Sequence, residues 1–269
     1  MAIGLSTYAF FWQFSETAER ALTLIDMVKK THELGLSVFQ ICDYAPIQAM
    51  SDAELAEVRD VAESLGVQLE LGTRGVQKSH VVNYLDIASK LGATFLRTML
   101  HTPDHKPSVS EAVELLSEVI PVCADRGITI GLETYEQVST NDLIRVVEGV
   151  GNPLLGVCLD PANSVARLEL PTDVIYRTAP PSSTCTSLHV KDFTFTRQAG
   201  WVGFMLIGCP LGEGLLDYDG MIEVVKPEAN INQVIEHWLP WQGDSTETRQ
   251  LEEKWTQHNV DILRSRHGY

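Results

Sequence analysis

Clusters of basic residues are missing from this chain: 20 lysines and arginines stand against 36 aspartates and glutamates, for a formal net charge of −16. That balance repels a polyanion and offers no stripe along which phosphates are neutralised, so nucleic acid is not expected as a partner. No apolar stretch approaches the roughly 20 residues that span a bilayer, and no basic leader precedes the strand-like Ile3-Gly4-Leu5. Membrane insertion and secretion are therefore not expected. The five cysteines (Cys42, Cys123, Cys158, Cys185, Cys209) are odd in number and form no C-x-x-C pair. They read as reduced thiols filling the core of a cytoplasmic protein. No G-x-G-x-x-G follows the first strand-like run, which removes the main support for an open doubly wound sheet, and no other glycine-rich loop resembles a phosphate cradle.

What is present is a regular alternation. With 269 residues, 44% of them hydrophobic, the chain has material for one sizeable core, and short β-branched runs alternate with longer helical patterns from end to end. Eight strands are expected, at Ile3-Ser6, Val38-Ile41, Gln68-Leu71, Phe95-Met99, Thr129-Leu132, Leu155-Leu159, Thr186-Val190 and Asn232-Ile235. Helices are expected over Ser15 to Leu34, Ser51 to Leu65, Ser79 to Leu91, Ser110 to Arg126 and Thr140 to Val150, each opening on a capping serine or threonine. The phrases ELGLSVFQI, SLGVQLEL, KLGATFLRT and DRGITIGLE each end a helix, turn at Gly35, Gly66, Gly92 or Gly127 and enter a strand. Eight such units close naturally, so the expected architecture is a single α/β domain over residues 1–269, a (β/α)8 barrel. The stretch Phe193 to Asp217 lacks helical periodicity and is expected to be a functional loop over the barrel mouth. A helix near Thr246 to Arg264 should close the outer ring.

In such a barrel the chemistry sits at the carboxyl ends of the strands. Four residues there are metal-ligand types: Glu133 after TIGL, Asp160 after GVCL, His189 within TSLHVKD and Glu236 after NQVI. Taken singly, each glutamate is as well explained by pairing with a lysine or arginine, Asp160 by capping a turn, and His189 by a core hydrogen bond. Four ligand types at equivalent positions of consecutive units are improbable by chance. Three carboxylates and an imidazole suit Mn²⁺ or Mg²⁺, with Co²⁺ or Zn²⁺ as alternatives.

These residues, with GLETYE, CLDPAN and HVKDF followed by GEGLLDYDGMI, give the whole chain a pattern that resembles the xylose isomerase-like superfamily of sugar isomerases and epimerases, itself similar in fold to endonuclease IV. The resemblance implies a four-ligand metal site in which Glu133 and Glu236 bind the ion and flank the substrate. Two departures leave the reaction open. Asn163 stands where the family often has histidine, and Phe195 where many ketose 3-epimerases have arginine, with Arg197 nearby.

Glu133 and Glu236 are the acid/base candidates. Lys191, His101, Arg74, Arg97, Asn163 and Trp12 are the candidate substrate contacts, with Arg74 and Arg97 the anchors for an anionic group. Tyr8, Phe11, Trp238 and Trp241 are further rings able to cover a sugar face. The leading expectation is a metal-dependent isomerase or epimerase of a sugar, sugar phosphate or sugar acid acting through an enediolate. The alternative is a lyase, decarboxylase or dehydratase, of a 3-oxo sugar acid, which reaches the same enediolate by losing a different group. The expected partner is a small carbohydrate-like substrate, and a homo-oligomer is compatible with this reading.

Overall fold

The computed structural model describes residues 2–179, 185–226 and 231–267. Among them run ten strands: β1 (Ile3–Ser6), β2 (Val38–Ile41), β3 (Gln68–Gly72), β4 (Phe95–Thr98), β5 (Thr129–Glu133), β6 (Leu155–Leu159), β7 (Cys185–Val190), β8 (Asp192–Arg197), β9 (Phe204–Cys209) and β10 (Asn232–Ile235). All but β8 and β9 pair in parallel and close into one barrel, with β10 between β7 and β1. The eight expected strands coincide with these to within one residue at either end.

Ten helices accompany the strands: α1 (Phe11–Phe14), α2 (Leu24–Glu33), α3 (Asp52–Ser64), α4 (Lys78–Lys90), α5 (Val109–Arg126), α6 (Thr140–Val150), α7 (Pro161–Ser164), α8 (Pro171–Thr178), α9 (Tyr218–Val225) and α10 (Ser245–His267). The helix expected from Ser15 begins instead at Leu24. Thr23 and Asp26 satisfy each other's backbone amides at 3.1 Å in a capping box, which fixes the start there. Likewise Ser108 and Ser139, not Ser110 and Thr140, cap α5 and α6. The four glycines after α2, α3, α4 and α5 have φ between 64° and 68°, the left-handed cap the sequence pattern implies.

Strand side chains alternate in direction. One set, including Leu5, Phe39, Leu71, Leu96, Ile130, Leu132, Leu159, Leu188 and Ile235, is buried and apolar, each such side chain contributing about 1.5–3 kcal/mol by leaving water. The other set includes Gln40, Glu70, Arg97, Glu133 and His189, all buried, several joined by hydrogen bonds between strands. The β6–β7 register shifts between Val157 and Cys158, so Thr186 is an extra residue whose hydroxyl donates to the Val157 carbonyl at 3.2 Å. Bulges of this kind re-aim side chains near sites, and His189 lies three residues on.

The stretch expected to be an irregular loop is largely an antiparallel ribbon: β8 and β9 pair over six registers. Helical period was the wrong test, because Phe193-Thr194-Phe195-Thr196 alternates with period two. After the ribbon, residues 210–217 are pinned by the Asp192 carboxylate, which accepts the amides of Phe193, Gly212, Gly214 and Leu216 at 2.8–3.0 Å. A side chain at Gly214 would collide with Asp192. The ribbon meets the barrel where the Gly208 amide donates to the Trp238 carbonyl at 3.2 Å.

Candidate metal centre

Glu133 ends β5, Asp160 follows β6, His189 lies in β7 and Glu236 follows β10. The closing of the barrel brings one ligand atom from each within 4.8 Å of the others, and all four residues are buried. His189 Nδ1 stands 3.5 Å from Glu133 Oε1, 3.6 Å from Asp160 Oδ2 and 3.5 Å from Glu236 Oε1. These gaps are too long for hydrogen bonds, and Nδ1 is buried without a hydrogen-bond partner. Ligands about 2.0–2.6 Å from a shared ion lie roughly 3 to 4 Å apart, so the donor set and spacing fit one divalent cation.

Electrostatics point the same way. Burial opposes the charged form of His189, yet the surrounding negative charges, Glu236 and Glu133 among them, hold its pKa well above the ordinary value. The cluster thus draws a cation, and an ion on Nδ1 would have to displace a proton. Burial pushes the Glu236 carboxyl up, but His189, Lys191 and Arg97 outweigh it and hold it far below the ordinary range.

Two buried cations accompany the carboxylates. Lys191, one residue past β7, places Nζ 2.7 Å from Asp160 Oδ2 and 2.9 Å from Glu236 Oε2, and 4.6 Å from the centre of the Trp238 ring. Arg97, on β4, pairs through Nε with Glu133 Oε2, donates from Nη1 to the Thr73 carbonyl at 3.0 Å and reaches Asp43 at 3.5 Å. Its partner in register is Gly131, where an added side chain would collide with the Phe95 ring. Ser6 also donates to Glu236 at 3.0 Å, and Asn163 to Glu133 at 2.7 Å.

Above the cluster opens a cleft of about 390 Å³, lined by Glu133, Glu236, Lys191, Asn163, Arg97, Arg74, His101, Tyr8, Met99, Tyr135, Lys106 and Trp238 among others. Of the candidate contacts, Lys191, His101, Arg74, Arg97 and Asn163 are therefore brought together. Trp12 is not among the described lining residues; its indole donates to the Leu239 carbonyl at 2.8 Å and its ring packs on Trp241. Arg97 lines the cleft with its guanidinium already engaged, whereas Arg74 is half exposed and held by Asp43 and Tyr8 at 3.0 Å.

Asp43, Gln40 and Glu70 were missed by sequence reasoning. Asp43 gathers Arg74, Arg97 and the Tyr8 hydroxyl, the last at 2.7 Å. The available signal was a carboxylate just past a strand. For Gln40 and Glu70 it was a polar residue at the inward position of an apolar strand, in VFQI and QLELG.

A family model described as xylose isomerase-like TIM barrel matches residues 28–266. The chain is 52% identical over 270 residues to the 3-oxo-isoapionate decarboxylase of Pectobacterium atrosepticum, covering 100% of this chain and 97% of that protein. D-psicose 3-epimerase from Clostridium cellulolyticum H10, solved with D-tagatose, is similar with a TM-score of 0.73 at 15% identity, over 98% of this chain and 99% of that one. A xylose isomerase-like TIM barrel protein from Mycobacterium smegmatis, solved in complex with magnesium, gives 0.68 at 17% identity over 97% of each chain. At these identities the two structures speak for the fold alone.

Proposed function

The chain belongs to the xylose isomerase-like TIM barrel family, and from that premise we propose that it is a divalent-metal-dependent decarboxylase of a 3-oxo sugar acid. This is the lyase alternative of the sequence reading, placed ahead of isomerisation. The observation that carries it is the pairing of both candidate acid/base glutamates with buried cations, Glu133 with Arg97 and Glu236 with Lys191. An isomerase of the expected kind needs two carboxylates free to take and return a proton across the substrate. A decarboxylase abstracts no proton from carbon. The 52% identity to a 3-oxo-isoapionate decarboxylase along the whole chain supports the same reading.

In a 3-oxo acid the bond from the α-carbon to the carboxylate breaks, its electron pair passes to the neighbouring carbonyl, carbon dioxide leaves, and the α-carbon then takes a proton. A divalent ion held by Glu133, Asp160, His189 and Glu236, Mn²⁺ or Mg²⁺ by the hardness of the donors, supplies a Lewis acid for the oxygen that gains charge. Arg97, Lys191 and Arg74 set three positive charges against the carboxylates of Glu133, Asp160, Glu236 and Asp43, so with a divalent ion the site would be positive overall and would suit an anion. Arg74 and Lys106 at the rim draw that anion toward the mouth of a protein of net charge −16. Lys191 Nζ, between Asp160 and Glu236, holds the proton that the α-carbon receives. Met99, Tyr135 and Trp238 give the cleft a less polar wall against which neutral carbon dioxide forms.

The test is to incubate metal-loaded protein with 3-oxo-isoapionate and with unphosphorylated and phosphorylated ketoses in D2O. Carbon dioxide released in step with loss of the acid, and no deuterium in the ketoses, is the expected result. Deuterium exchange into a ketose with no carbon dioxide from the acid would return the isomerase reading.

A further inference from the structure

A single imidazole can meet an ion through either ring nitrogen, and which one is free depends on what holds the other. In His189 the far nitrogen, Nε2, lies 2.8 Å from Oε1 of Gln40, a residue of β2 across the barrel from β7. The Cys42 thiol donates to the same oxygen at 2.9 Å. An amide presents an oxygen at one end and an NH2 group at the other, and flipping it would turn a donor toward His189. Glu70 prevents the flip. Its Oε2 accepts from Gln40 Nε2 at 2.8 Å, and its Oε1 accepts from Asn232 Nδ2 at 2.6 Å, a second reach across the barrel. Gln40 and His189 are fully buried, so water offers no competing partner at their contact.

We infer that Gln40 and Glu70 are positioning residues that fix the His189 ring with Nε2 as hydrogen donor and Nδ1 aimed at the carboxylates, so that the metal centre is preset from the barrel interior. Buried amide and carboxyl groups in the middle of a barrel are costly where aliphatic side chains usually fill the layers. Their placement follows if each orients the next, from Asn232 through Glu70 and Gln40 to His189. Partners behind a ligating histidine typically govern metal affinity by 10- to 100-fold. The inference rests on the metal reading of the four-residue cluster and adds to it the residues that set the ring.

Gln40→Met keeps the side-chain length while removing both amide contacts, and Glu70→Met removes the acceptor that orients the amide. Titration of the purified, chelator-treated protein with Mg²⁺ and Mn²⁺ should show affinity about 10- to 100-fold weaker for Gln40→Met and about threefold or more weaker for Glu70→Met. In Mg²⁺-loaded parent labelled with ¹⁵N-histidine, one buried histidine should show a protonated Nε2 and a ligated Nδ1, and that signature should be lost in Gln40→Met. If the parent binds no ion, the metal reading itself fails. If the parent binds and both variants bind within about twofold of it with the signature intact, Gln40 and Glu70 do not position His189. Should Gln40→Met fail to fold, Glu70→Met decides alone, and unchanged affinity there overturns the inference.

Discussion

The two flanks of the cleft solve one problem with different cations. On the β4–β5 flank the guanidinium of Arg97 faces Glu133 while being held by the Thr73 carbonyl and Asp43. On the β7–β10 flank the ammonium of Lys191 faces Asp160 and Glu236 beside Trp238. A guanidinium does not release its proton in a protein, and its planar fork fixes geometry; an ammonium is a compact charge that turns and can give a proton up. The Arg97 flank therefore suits fixed charge. On the Lys191 flank Asp160 and Glu236 outweigh burial and hold the ammonium protonated, its pKa above the ordinary lysine value, so that its proton passes only to a more basic carbanion. That asymmetry is what a decarboxylase asks of its site, since only one proton, arriving after carbon dioxide has left, has to be placed.

The sharpest way to break this comparison is to make the flanks alike. Lys191→Met, assayed at matched metal occupancy, should lower turnover by about 10²- to 10⁴-fold, the usual contribution of a positioned acid. Lys191→Arg, which keeps the charge, should not restore it. Turnover of Lys191→Arg within about threefold of the parent would mean that charge alone matters on both flanks.

On the other flank, Arg97→Met should cost about 3–5 kcal/mol in urea unfolding, because it leaves Glu133 and Asp43 facing a buried gap. A loss below about 1 kcal/mol would show that the pair adds nothing to the fold and would leave Asn163 as the main support of Glu133.

Another buried carboxylate, Glu252, has no paired cation among the described residues. Glu252 of α10 accepts the amides of Trp12 and Gln13 at 2.9 and 3.1 Å and the Gln13 side chain at 3.2 Å, and burial pushes its carboxyl up from 4.5 to about 7. Between those values the folded protein keeps a proton that the unfolded chain has released. Its contribution is therefore most favourable below 4.5 and is lost as pH rises to about 7, by up to about 3 kcal/mol. Urea midpoints of parent and Glu252→Gln should diverge in slope over that window, and parallel pH profiles would remove Glu252 as the cause.

The smallest expected effect concerns Asn163, which donates to Glu133 at 2.7 Å and to the Thr134 carbonyl at 3.3 Å. Asn163→Ala should slow turnover about tenfold, roughly one hydrogen bond to a charged group, with metal affinity little changed. A collapse of metal affinity instead would make Asn163, rather than Arg97, the residue that sets Glu133.

Much of this molecule was written locally. Strand runs, glycine caps after α2 to α5 and the strand-end positions of Glu133, Asp160, His189 and Glu236 all depend on periodicity and on the rule that barrel chemistry sits at carboxyl ends. The start of α2 at Leu24 was legible too, in the Thr23–Asp26 capping box, but the earlier Ser15 competed for the same role. The ribbon of β8 and β9 is marked only by the short period-two run Phe193-Thr194-Phe195-Thr196, and its pairing depends on a partner strand that the run does not specify.

Local pattern was enough for the eight strands, for most of the span of α2 to α6 and for the four ligand types at one end, since each follows from neighbours within a few residues. Only the closed barrel decided that Arg97 would face Glu133 rather than an incoming anion, that Lys191 would bridge Asp160 and Glu236, and that Gln40 would reach His189 from 149 positions away. Those pairings depend on which side chains point inward at the same height on different strands, and that height is set by register and curvature around the ring, which no local pattern encodes.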